Sequence, residues 1–131
     1  MGVIEGQKIL SPNEWEAIKR ENDNAIKQWI DENMKHCSCV IVLIGKETAN
    51  RKWVKYEIKK ALNDGKALLG IYIHNLKDKN KNITKKGKNP FDIISDKKSE
   101  YILVKDPNPN DAYNDIKNNL TDWIEDSIHN K

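Results

Sequence analysis

Glu57 stands in the stretch "ANRKWVKYEIKKALNDGKALLGIYIHN" (49–75), a single carboxylate in an otherwise basic helix start, four residues after Trp53. A carboxylate so placed has two uses. It can pair with Lys60 at i,i+3 on a helix surface, with Trp53 packed under a loop. Alternatively it can sit in a pocket and stabilise positive charge developing on a bound molecule. Spacing alone leaves both readings open. The remaining chemistry-bearing residues offer less. Cys37 and Cys39 lie two apart, so as strand residues they point to one face and cannot easily bridge each other. With His36 they still lack the spaced further ligands of a tetrahedral site, and neither His74 nor His129 supplies the pattern, so no metal is expected. GxSxG, a Gly-rich phosphate loop, HExxH and the kinase signatures are all missing.

The elements that must position Glu57 can be read from hydropathy. "SPNE" (11–14) combines a Ser cap, Pro at the first helical position and Glu three after the cap, which announces a helix near Pro12. Trp15, Ile18, Ala25, Ile26, Trp29, Ile30 and Met34 recur at three and four and form its inner stripe, while Lys19, Arg20, Asp23 and Lys27 face water. "SCVIVLIG" (38–45) and "KALLGIYIH" (66–74) are short, nearly all-apolar runs of the kind buried on both faces of a parallel sheet. Between them a helix from about Asn50 to Asn63 carries Val54, Ile58, Ala61 and Leu62 inward and stops at "NDG". "YILVKD" (101–106) and a helix over Asp111–His129, with Tyr113, Ile116, Leu120, Trp123, Ile124 and Ile128 on its apolar face, repeat the alternation. The fold class is therefore α/β with a mostly parallel sheet flanked by helices.

In such sheets ligands bind beyond the carboxyl ends of the strands, which singles out the residues after Gly45, after His74 and after Lys105. At about 100° per residue, Glu57 falls about 85° from the centre of the Val54, Ile58, Ala61 and Leu62 stripe. It is expected on the flank of the second helical turn, half-buried at most, with Trp53 one turn before it on the same side.

The chain has 131 residues, which suits a single domain over 1–131. Its 23 Lys and Arg against 20 Asp and Glu give a net charge of +3, a mixed-sign surface that implies no polyanionic partner. The loop "NLKDKNKNITKKGKNPFDII" (75–94) holds six lysines and taken alone suggests phosphate. Its only aromatic is Phe91, however, and bases and rings do not interleave, so no nucleic acid is expected and the loop reads as solvated. "VIVLI" and "ALLGIYI" are far short of the roughly 18 apolar residues that span a bilayer, and no signal segment opens the chain. Position 6 is Gly, which removes the myristoylation pattern. No membrane association and a cytoplasmic location are the expectation.

"CVIVLIGKETANRKWVKYEIKKAL", followed by "GIYIHNLKD" and "KGKNPFD", closely resembles the TIR-like domain of the ThsB proteins of Thoeris anti-phage defence. The resemblance runs from about Val3 to Asp92 and includes "EWEAIKRENDNAIKQWI"; after Ser95 it is loose. It implies a flavodoxin-like fold and, where the domain is enzymatic, cleavage of the nicotinamide–ribose bond of NAD+ as substrate, with no further cofactor. The family's strand–"IG"–loop–"R-x-W-V-x-Y-E-I" pattern is met by Ile44, Gly45, Arg51, Trp53, Val54, Tyr56, Glu57 and Ile58. Glu57 carries over as the catalytic position, and Gly45, Asn50, Arg51, Trp53 and Tyr56 as candidates for substrate contact. Loss of a cationic nicotinamide leaves oxocarbenium character on the ribose, which a carboxylate can stabilise. The kinship further implies a cyclic ADP-ribose-type product read by a separate effector protein. A non-catalytic interaction module that self-associates, or a regulatory fragment, is the alternative.

TIR domains open with a strand ending in an F/Y-S-x/H-like segment and a helix, and this sequence has neither. "GVIEG" (2–6) resembles their second strand, so the sheet is expected to be N-terminally incomplete by one βα unit. In the order 2-1-3-4-5 that would leave unpaired backbone at mid-sheet, to be filled by another chain in a dimer or larger species.

Overall fold

The computed structural model describes residues 3–4, 23–77, 80–94 and 102–130. Among the described residues four strands form one sheet: β1 (Val3–Ile4), β2 (Cys39–Ile44), β3 (Ala67–Tyr72) and β4 (Leu103–Lys105), in the order β1-β2-β3-β4. Three α-helices among the same residues accompany them, α1 (Asp23–Met34), α2 (Lys52–Asn63) and α3 (Ala112–Asn130). β2, β3 and β4 are parallel, with Cys39 opposite Ala67 and Leu69 opposite Leu103, so the α/β expectation holds. The anticipated helix start near Pro12, with Trp15 and Ile18, lies outside the described residues.

The apolar strands are covered on both sides, as their sequence demands. Val40, Val42 and Ile44 of β2 face α1 and α2, meeting Ile26, Ile30 and Met34 from the first helix and Val54, Ile58, Ala61 and Leu62 from the second. Cys39 and Ile41, with Ala67, Leu69 and Ile71 of β3, face the opposite way and are packed by Ile116, Leu120, Trp123, Ile124 and Ile128 of α3. Tyr113 departs from that helix's expected apolar face: it is 65% exposed, near the helix start. Cys37 also departs from expectation. It precedes β2, and it joins the cluster under α1 and α2 whereas Cys39 joins the one under α3. Both cysteines are buried and neither belongs to a disulfide.

Two further findings revise the sequence reading. Val3 and Ile4 lie directly beside β2 and antiparallel to it, opposite Ile41 and Val40, rather than one strand away and parallel. That edge of β2 thus carries a short pairing within the chain itself. The lysine-rich segment, for its part, is not solvated throughout. Its final turn, a 3-10 helix over Pro90–Asp92, is capped by the Asn89 side chain, which accepts from the Phe91 N–H at 2.9 Å. Phe91 is buried to 2% exposure and Ile94 to 8%, both within the α1–α2 cluster. β3 makes room for the ring with Gly70, where an added Cβ would stand 2.7 Å from Phe91 Cε2.

A candidate active site at the carboxyl end of strand β2

β2 ends at Ile44, and the chain turns into α2 through Gly45 and a 3-10 helix over Thr48–Asn50. Thr48 holds this turn together. Its hydroxyl accepts from the Gly45 N–H at 2.8 Å and donates to the Leu43 carbonyl at 3.2 Å, while its own N–H donates to the Gly45 carbonyl at 3.3 Å. A β-branched residue 9% exposed thereby satisfies the backbone where a strand becomes a helix. Sequence reading missed Thr48, although a Thr three residues after a strand-ending Gly is a recognisable turn signal.

Glu57 is 1% exposed. The flank position expected for it is therefore a correction: Val54, Glu57, Ile58, Ala61 and Leu62 form one buried arc, spaced i, i+3, i+4, i+7 and i+8. The arc is wider than the four apolar residues suggest, because a helix laid on a sheet and bordered by neighbours covers well over 100° of its surface. The surface-pair reading fails as well. Lys60 reaches Asp64 at 3.1 Å instead, on the exposed side of the helix. Removing a carboxylate from water is expensive unless the site receives its charge, and such positions gather at functional sites.

The other candidates surround this point unequally. Trp53 is half-buried, packs on the α1–α2 cluster and meets Tyr56 edge-on at 5.7 Å between ring centroids, with Lys52 Nζ 4.8 Å from its own ring centre. Asn50 and Arg51 are exposed at the helix entry, and Arg51 caps α2 without a side-chain hydrogen bond. Gly45 lies at the turn itself. The Tyr56 hydroxyl donates to Asp31 Oδ1 of α1 at 2.8 Å, so its polar end is committed to a helix–helix contact.

Burial, the hydrogen bond to Asp31 and the charge of that carboxylate together push the Tyr56 phenol up to about 12. Because the native value lies above the ordinary one near 10, the associated stability is complete below pH 10 and disappears as pH rises through about 12. An absorbance titration of phenolate formation should show a component that ionises late. Tyr56→Phe should remove that late component, and Asp31→Asn should move it to lower pH.

Beyond β3 lies a cluster that sequence reading did not assemble. Asp106, just after β4, binds Lys86 Nζ at 2.9 Å and stands 3.9 Å from His74 Nε2. Lys86 also covers the Tyr72 ring at 4.4 Å, and Tyr72 meets His74 edge-on at 5.9 Å. Its hydrogen bond to Asp106 holds the Lys86 ammonium above the usual lysine range. These four residues come from three separate segments, so no local spacing could have announced them. Among the described residues no group of three or more His, Cys, Asp or Glu could hold a metal ion, and no helix is long and apolar enough to cross a membrane.

A buried carboxylate on the helix that follows β2, the first strand of a three-strand parallel set, reached through a Gly turn, fits a TIR-like α/β domain. The profile of the family described as "Thoeris protein ThsB, TIR-like domain" matches residues 3–78, more than half of the chain, and the chain belongs to that family. It is 45% identical over 86 residues to a protein of Bacillus cereus (strain MSX-D12) named "Putative cyclic ADP-D-ribose synthase ThsB1". That match covers 66% of this chain and 45% of the relative, so the chain spans less than half of the relative's length.

Proposed function

We propose that this TIR-like domain cleaves the nicotinamide–ribose bond of NAD+ and that Glu57 faces the reacting ribose. The observation that carries the reading is the near-complete burial of Glu57 on α2, within the segment matched by the family. A carboxylate in a low-dielectric setting acts on a developing oxocarbenium ion far more strongly than one in water. Nicotinamide leaves as a neutral molecule and needs no proton, so one carboxylate suffices where an O-glycosidase needs two.

Trp53, one helical turn from Glu57, would exclude water on the nicotinamide side, while Gly45, Asn50, Arg51 and Tyr56 would border the substrate along the turn. Water reaching the ribose would give ADP-ribose; attack by a hydroxyl of the same molecule would give a cyclic product. The cyclic outcome is favoured by the name of the Bacillus cereus relative. A separate effector would read that product, and self-association of the domain belongs to the same proposal.

Incubating the purified chain with NAD+ should release nicotinamide in step with NAD+ loss, followed by chromatography, with a cyclic ADP-ribose isomer as the second product. Unchanged NAD+ beside concentration-dependent assembly in light scattering would instead favour a non-catalytic interaction module.

A further inference from the structure

The lysine-rich segment is not absorbed by the chemistry at Glu57, yet it is docked on the same end of the sheet. Gly87 lies against the turn after β2: an added Cβ there would fall on the Gly45 carbonyl, 2.8 Å from Gly45 C and 3.2 Å from Lys46 Cα. Only a residue without a side chain permits that backbone-to-backbone approach. The 3-10 turn at Pro90–Asp92 packs in addition on the one at Thr48–Asn50.

Three attachments therefore fix this strap: Phe91 in the core, Gly87 on Gly45, and Lys86 held by Asp106 and the Tyr72 ring. The consequence is a group of exposed lysines, with Glu47 and Asp92 as the neighbouring acids in sequence. Lys86 is neutralised by Asp106, but Lys46, Lys85 and Lys88 are exposed and have no acidic partner among the described residues. Lys46 and Lys88 directly follow Gly45 and Gly87 in the chain, and Lys85 lies two residues before Gly87.

We infer that Lys46, Lys85 and Lys88 form a subsite for a diphosphate group at the carboxyl end of β2, with Lys86 as the clamp that seats the strap. This rests on the NAD+ reading, which it deepens by assigning the substrate's diphosphate to a segment outside α2. Lysine ammonium groups suit the role as mobile point charges that need no fixed fork geometry. The placement is also compatible: the turn at Gly45 and Lys46 leads into α2, and Glu57 lies five residues along that helix. Fixing the strap beforehand lowers the ordering penalty on binding, because the lysine backbones are in place before the anion arrives.

The test uses inorganic pyrophosphate, which has no glycosidic bond and so reports on the subsite whether or not NAD+ is cleaved. Titration calorimetry of the chain should show binding that weakens as salt is raised. The double variant Lys85→Ala, Lys88→Ala should weaken it about five- to tenfold, as expected for two exposed ion pairs. The charge-matched double variant Lys35→Ala, Lys59→Ala, at the amino ends of the strands and along α2, should leave it unchanged. Equal losses in both variants, or no loss in the first, would overturn the subsite. So would a single-stranded oligonucleotide that binds more tightly than pyrophosphate with the same lysine dependence, since the strap would then serve nucleic acid. Pyrophosphate binding that depends on Lys85 and Lys88 in a chain that leaves NAD+ intact would keep the subsite and remove the NAD+ reading.

Discussion

Glu57→Gln is expected to slow NAD+ cleavage by roughly 100-fold or more, the usual consequence of removing one preorganised electrostatic stabiliser. Glutamine keeps the length and shape of the side chain, so α2 should stay seated on the sheet and the change should be felt in the rate. Burial makes the expected effect large: at 1% exposure, little water stands by to screen the lost charge. The comparison is Lys60→Ala, which breaks only the surface pair with Asp64 and should alter the rate little. Initial rates of nicotinamide release from the three proteins, with circular dichroism as the check on folding, decide the matter. A glutamine variant as fast as its parent would return Glu57 to a purely structural place on the helix.

Phe91→Ala should destabilise the domain by about 3–5 kcal/mol, the range for emptying a buried aromatic site. Phe91 is the residue by which the strap enters the α1–α2 core, and its ring lies over Gly70, whose added Cβ would also stand 3.1 Å from Ile44 Cδ1 and 3.3 Å from Val104 Cγ2. Loss of the ring should therefore loosen the strap and lower the midpoint of urea unfolding together. Gly70→Ala offers an independent check on this packing. Alone it should destabilise by overpacking against Phe91; combined with Phe91→Leu, the loss should be smaller than the sum of the two single changes. Strict additivity would mean that ring and glycine do not share the space described.

The sequence by itself determined the alternation of strands and helices. "CVIVLI" and "ALLGIY" are too apolar to be covered on one face only, and periodicity at three and four placed Ile26, Ile30, Val54, Ile58 and Leu62 inward, where they are found. Periodicity works here because it depends on neighbours within one element. Glu57 drew attention as a single carboxylate in an otherwise basic helix start, and the resemblance alone gave it a catalytic role. What periodicity could not supply was the depth of that residue. Angle from a stripe measures only the helix's own geometry, whereas burial depends on what the rest of the chain lays over the flank.

The same limit governs the remaining revisions. Val3 and Ile4 could be read as strand, but a strand's partner and direction are set by register with distant residues, and the chain places them antiparallel on β2. A lysine-rich composition made 75–94 look solvated because lysine outnumbers every other residue type there. A single phenylalanine and two glycines decided otherwise, since one buried ring with one close backbone contact can anchor a segment whose charges stay in water. The meeting of Tyr72, His74, Lys86 and Asp106, and the backbone approach of Gly87 to Gly45 and Lys46, exist only in three dimensions. They join segments far apart in sequence, and no spacing rule relates residues whose neighbourhood is created by the packing of a strap across the end of a sheet.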